Sequence, residues 1–231
     1  MSFADLPAQA SLRAKHFKAH VSDEELSDFK QLLKLSKIGP QTYENTVADV
    51  KDFTHFGISR EWLSQAKKYW ESSYDWRKTE DRINSYPNFT VQIEDSGFDF
   101  DIHFTALFSK KADAAPLLFM HGWPGSFLEF LGTLDVLKKK YKPEDLPFHV
   151  IVPSLPGYGY SSGPPTDKNF DMQGIARVMD KLMVGLGFGD GYIAQGGDIG
   201  SFVSRVLGAT APSCKAVHRM SKVRRAFADE R

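Results

Sequence analysis

The stretch Gln195-Gly196-Gly197-Asp198-Ile199-Gly200-Ser201 decides how the chain is read. It follows the apolar run Tyr192-Ile193-Ala194 and precedes Phe202-Val203-Ser204-Arg205-Val206-Leu207, so the local order is strand, turn, helix. Gly196 and Gly200 stand two residues either side of Asp198, the spacing of a nucleophile elbow, where strand and helix approach too closely for flanking side chains. The usual elbow residue is serine. A carboxylate there is ionised at neutral pH and needs no base to attack an electrophilic, saturated carbon. The product would be an ester, and releasing it requires water and a separate general base. A glycine-rich turn with a helix-capping aspartate is the plainer alternative for so short a motif.

Working outward, strands and helices alternate from residue 115 on, which predicts an α/β fold with a mostly parallel sheet. Pro116-Leu117-Leu118-Phe119-Met120 is apolar throughout, as a strand covered on both faces would be, and runs into His121-Gly122-Trp123-Pro124-Gly125. Ser126 and Glu129 have the spacing of a capping box for a helix reaching about Lys140. A strand over 149–152, a glycine-rich loop over 156–164 and a helix over 171–186 complete the approach to the elbow. Both glycine-rich turns fall at the carboxyl ends of strands, where ligands bind in such sheets.

The preceding region has a different character. Ser22-Asp23-Glu24-Glu25 predicts a capping box, with Leu26, Phe29, Leu32 and Leu33 following at helical spacing. A second amphipathic helix starts at Ser59, and its stripe of Trp62, Leu63, Ala66, Tyr69 and Trp70 is expected to be core. Over 98–108 the pattern alternates as in a half-buried strand, paired with 90–94 across Asp95-Ser96-Gly97, which places His103 on a solvated face.

Hydrophobic residues make up 42% and charged residues 25%, the balance of a globular chain. With 29 basic and 29 acidic residues there is no net field to draw in nucleic acid or an anionic membrane, and neither is expected as a partner. No run approaches the length of a membrane helix, and the first ten residues lack the pattern of a secretory signal, so a cytoplasmic setting is the default expectation. The one cysteine, Cys214, reads as a small buried hydrophobe.

Taken together, His121-Gly122-Trp123-Pro124, Pro156-Gly157-Tyr158-Gly159 and Gly196-Gly197-Asp198-Ile199-Gly200 resemble the α/β-hydrolase superfamily and, within it, epoxide hydrolases of the microsomal type. Upstream, Ser22-Asp23-Glu24-Glu25-Leu26, Tyr69-Trp70, Tyr74-Asp75-Trp76-Arg77 and Asn84-Ser85-Tyr86-Pro87 resemble that family's leading meander, most closely in its soluble fungal members. The resemblance implies Asp198 as the nucleophile and the backbone N–H groups of Trp123 and Ile199 as an oxyanion hole. It also implies a small-molecule epoxide as substrate, and neither metal nor cofactor. It does not make His121 the water-activating base.

The organisation expected is a meander over 1–89, the first part of an α/β-hydrolase core over 90–218, and a divergent charged tail over 219–231. The family's lid, ring-opening tyrosines, general base and later core strands have no counterpart here, as in a truncated chain. Such a sheet would leave an edge open to association with another copy or a partner. Two other readings stand beside epoxide hydrolysis: a haloalkane-type hydrolase with an aspartate nucleophile, and a non-catalytic fragment acting by association.

Overall fold

The computed structural model describes residues 2–46 and 56–220. Two compact units divide the chain, one formed by residues 1–18 and 83–231, the other by residues 19–82.

Among the described residues the first unit is built on a seven-stranded sheet. Its strands are β1 (Lys15–His16), β2 (Asn88–Asp95), β3 (Phe98–Leu107), β4 (Ala115–Met120), β5 (Phe148–Pro153), β6 (Tyr192–Gly197) and β7 (Cys214–Met220), in the spatial order β1-β2-β3-β5-β4-β6-β7. β1, β2, β3 and β5 pair antiparallel, whereas β5, β4, β6 and β7 run parallel. The β2–β3 hairpin closes through Ser96 and Gly97, both at positive φ (57° and 78°), a two-residue turn whose twist suits the flanking strands.

Leu118 and Met120 of β4, Ile151 of β5 and Ala194 of β6 share one apolar core with Val178, Met179 and Leu182 of the helix Met172–Met183 and Val203 and Leu207 of the helix Asp198–Thr210. Phe119 points the other way and stacks on Phe130, at the end of the 3-10 turn Phe127–Phe130 that opens the helix Leu131–Lys140. The capping box expected at Ser126 and Glu129 is not made. Ser126 Oγ accepts from the N–H of Leu128 instead of Glu129, because the chain enters through a tighter 3-10 turn.

His103 corrects a second expectation. It is fully buried, with Nε2 against Asn88 Oδ1 at 3.2 Å and Nδ1 against Ser154 Oγ at 2.9 Å. Phe17, Phe127 and Tyr160 surround its ring. The alternation that predicted a solvated face holds only for Asp99 and Asp101; from Ile102 on, β3 is buried on both sides. Asn88 Oδ1 is an acceptor, so Nε2 carries the proton, and burial pushes the imidazole down to about 3.

Within the second unit are α1 (Asp23–Leu35), α2 (Tyr43–Thr46), α3 (Arg60–Ser72) and most of α4 (Trp76–Asn84). The predicted capping box between Ser22 and Glu25 is complete. α1 ends at Leu35, short of Gly39-Pro40, where Ser36 turns extended. The aromatic stripe is not core: no residue of α1 or α3 is buried, and Trp62, Tyr69 and Trp70 are each half exposed. α1 and α3 meet through Phe29 and Trp70, whose ring centroids are 6.5 Å apart, and the rest of the stripe stays half exposed.

The Tyr74-Asp75-Trp76-Arg77 motif has a structural role. Arg77 donates to Val21 O at 2.7 Å, Glu80 Oε2 at 2.6 Å and Asp23 Oδ1 at 2.5 Å, and Trp76 Nε1 donates to Glu80 Oε1 at 2.9 Å. Burial alone would raise the Glu80 carboxyl, but the Val21 N–H, Arg77 and Trp76 outweigh it and hold it at about 2.

Candidate active site

The parallel register places two chain ends side by side. Met120 pairs with Gly196 at the carboxyl ends of β4 and β6, so His121-Gly122-Trp123 and Gly197-Asp198 leave the sheet next to each other. β4 leads toward β5 on one side and β6 toward β7 on the other, making this the switch point of the sheet.

Asp198 turns the corner from β6 into the following helix at φ 47°, a region a non-glycine residue rarely occupies. The flanking glycines are required by contact. A Cβ on Gly196 would stand 2.2 Å from the carbonyl of Gly200, and a Cβ on Gly200 would stand 2.3 Å from the carbonyl oxygen of Met120. Strand and helix backbones therefore touch at both positions that the sequence spacing singled out, and Gly200 N–H donates to His121 O at 3.0 Å.

The Asp198 side chain is exposed and its Oδ1 accepts from the backbone N–H of Trp123 at 2.9 Å. Hydrogen bonds from the N–H of Trp123 and then of Ile199 hold the carboxyl below its ordinary range, so it is anionic at neutral pH. The helix N-terminus at which it sits favours the same charge state. All five residues singled out from the sequence, Trp123, Gly196, Asp198, Ile199 and Gly200, thus lie at one corner.

Gly122 was not singled out by sequence reasoning, yet it belongs there: a Cβ would stand 2.4 Å from Asp198 Cβ and 2.5 Å from its Oδ1. Its position within His121-Gly122-Trp123-Pro124-Gly125 was the available signal. His121 is buried, with Nδ1 at 3.1 Å from Gly122 O and Nε2 accepting from the N–H of Leu155 at 3.1 Å. Burial lowers its proton affinity, against the opposing pull of the Gly122 carbonyl and Glu129. Trp123 itself is an exposed side chain preceding a cis bond to Pro124, so its backbone is what faces Asp198.

A parallel sheet with a carboxylate at a strained strand-to-helix corner, faced by the amide of a glycine-containing turn from the neighbouring strand, defines the α/β-hydrolase class. Comparison with known proteins agrees: residues 115–226 match the alpha/beta hydrolase fold model. Residues 14–130 match the model of the epoxide hydrolase N terminus, and the chain belongs to the epoxide hydrolase family. It is 46% identical to a putative epoxide hydrolase of Dothistroma septosporum, over 94% of this chain and 51% of that protein. Identity to epoxide hydrolase 1 of Sus scrofa is 35%, over 87% of this chain and 43% of the relative. The structure of Aspergillus niger epoxide hydrolase superposes with a TM-score of 0.88 at 51% identity, covering 99% of this chain and 57% of that one. The chain therefore spans about half the length of the curated relatives it matches. Among the described residues no helix is long and apolar enough to cross a membrane.

Proposed function

We propose that Asp198 is the nucleophile of an epoxide-opening reaction. One carboxylate oxygen bonds to an epoxide carbon, the ring C–O bond breaks, and the alkoxide takes a proton from water, leaving a hydroxyalkyl ester on Asp198 and a hydroxide in solvent. Water adding to the ester carbonyl would release a vicinal diol, and the N–H groups of Trp123 and Ile199 would receive the charge on the carbonyl oxygen. The observation that carries this reading is the 2.9 Å hydrogen bond from Trp123 N–H to Asp198 Oδ1. It puts a fixed donor on one carboxylate oxygen, the one that would become the ester carbonyl, so that attack falls to the other.

The two halves of the reaction differ in what they need. Attack requires the anionic carboxylate and a proton for the departing alkoxide, which water can supply, whereas ester hydrolysis requires a base, and both ring nitrogens of His121 are already bonded to backbone. Ester formation and ester release are therefore separable in one measurement. Incubation with a reactive aryl epoxide followed by intact-mass measurement should show one added substrate mass, absent in Asp198→Ala. A folded sample that gains no mass and releases no diol contradicts the reading.

A second reading concerns association. Among the described residues β7 is the last strand of the sheet, and six of its seven residues are exposed. We propose that this edge pairs with a second copy of the chain. Sedimentation velocity should show dimer growing with concentration; a monomer throughout contradicts this.

A further inference from the structure

Within the unit of residues 19–82 an apolar groove of about 640 Å³ runs between α1 and α3. Leu33 and Ile38 contribute to it from α1 and the stretch that follows, and Trp62, Leu63, Ala66 and Tyr69 from α3. Single exposed apolar side chains are ordinary on a protein surface, but Trp62 is 50%, Leu63 44% and Tyr69 56% exposed, and all three border one groove. A contiguous apolar patch of this kind marks a surface that binds something.

The charge around it is one-sided. Lys37 and Lys67 are the only charged side chains among the described lining residues. Lys67 is engaged within the fold, donating to Glu71 Oε1 at 2.5 Å and to Lys34 O at 3.4 Å. Lys37 is exposed and has no hydrogen-bond or ion-pair partner among the described residues. The stretch that carries it is pinned on both sides: Ser36 N–H donates to Leu32 O at 2.9 Å, and Arg60 Nε donates to Gly39 O at 2.9 Å. A free ammonium on anchored backbone therefore borders an apolar groove that no described carboxylate lines.

An amphiphile of opposite charge answers both features. From Trp62 to Trp70 the face of α3 extends about 12 Å at about 1.5 Å per residue, room for a medium alkyl chain. A cationic amphiphile would bring like charges together, and a neutral one would leave Lys37 unanswered.

We propose that this groove binds an alkyl carboxylate of fatty-acid type, with the chain along Trp62, Leu63, Ala66 and Tyr69 and the carboxylate on the Lys37 ammonium. The binding is non-covalent and makes no use of Asp198.

The test uses the full chain and decanoate, followed by titration calorimetry and by the indole signals of 15N-labelled protein. Decanoate should saturate at one per chain, moving the Trp62 indole signal and leaving that of Trp123 in place. Decyltrimethylammonium should bind roughly tenfold more weakly or worse, the worth of one hydrogen bond to a charged group. Lys37→Glu should abolish that preference. Lys78→Glu, the same change of charge at an exposed lysine outside the groove, should keep it. Equal binding of the two amphiphiles to the wild type would show an apolar patch that recognises no charge and would overturn the proposal. So would decanoate that fails to saturate, or a wild-type Trp62 signal that does not move, and either decides the matter even if a variant does not fold. Decanoate binding that weakens as protein concentration rises, alongside a growing dimer in sedimentation velocity, would overturn it in favour of a second copy of the chain.

Discussion

Replacing Gly200 by alanine tests the physical basis of the corner. The new Cβ would stand 2.3 Å from Met120 O, 2.8 Å from Met120 C and 2.9 Å from His121 O, all of them backbone atoms at the end of β4. No rotamer relieves that overlap, so the helix Asp198–Thr210 must withdraw by about 1 Å to reach ordinary contact distances. The withdrawal breaks the 3.0 Å bond from Gly200 N–H to His121 O. Overpacking of this kind costs about 1–3 kcal/mol, and the lost hydrogen bond about 1 kcal/mol more. A chain of this size should then melt about 5–15 °C lower. The assay is urea and thermal unfolding followed by tryptophan fluorescence and far-ultraviolet circular dichroism. Gly132→Ala is the control, because a Cβ there meets nothing within 4 Å on an exposed face of the helix Leu131–Lys140, and it should stabilise by about 0.5–1 kcal/mol. If Gly200→Ala stays within about 0.5 kcal/mol of wild type, the close approach does not constrain this corner and the elbow reading loses its foundation.

Three further outcomes concern Gly122, His103 and Asp95. Gly122→Ala would push a Cβ to 2.4 Å from Asp198 Cβ, and displacing a nucleophile by about 1 Å should slow adduct formation roughly 100-fold in an intact-mass time course; an unchanged rate contradicts the geometry. His103 titrates at about 3 when folded and near 6.5 when unfolded, so its contribution is complete above the unfolded value and is lost as pH falls from about 6.5 toward 3. His103→Gln should remove about 1 kcal/mol per pH unit from the acid slope of stability between pH 6 and 4, measured by urea titration; an unaltered slope rejects the assignment. Asp95 is buried against Arg177 and Lys181; burial would raise its carboxyl, but the two cations hold it at about 2, so its stabilisation persists above about pH 4 and is lost as pH falls toward 2. Arg177→Met should cost about 1.5–3 kcal/mol at neutral pH, and a loss below 0.5 kcal/mol would show that Lys181 suffices.

Much of the corner was legible because its constraint is local. A residue two positions either side of Asp198 must be side-chain-free, and glycine at 196 and 200 records that in the sequence; the parallel sheet follows from apolar runs alternating with helices, whereas the pairing of β4 with β6, past the intervening β5, is seen only in the structure. His103 was not legible, because period-two alternation reports which residues share a face and not whether a loop covers it; Ser154 and Tyr160 bring that cover from far along the chain. Trp62 and Trp70 failed in the opposite direction. Amphipathic spacing shows that a stripe wants burial, not that neighbouring elements cover it, and Trp62 and Trp70 stay half exposed. The partners of the two His121 ring nitrogens were not legible either, since only the three-dimensional arrangement of strand ends creates those contacts.

The most direct measurement of the central claim is the position of the alkyl group after treatment with a reactive aryl epoxide. Digestion and tandem mass spectrometry should place the added mass on the peptide containing Asp198, as an ester that hydroxylamine removes. Modification confined to Cys214, or to carboxylates other than Asp198, would contradict it.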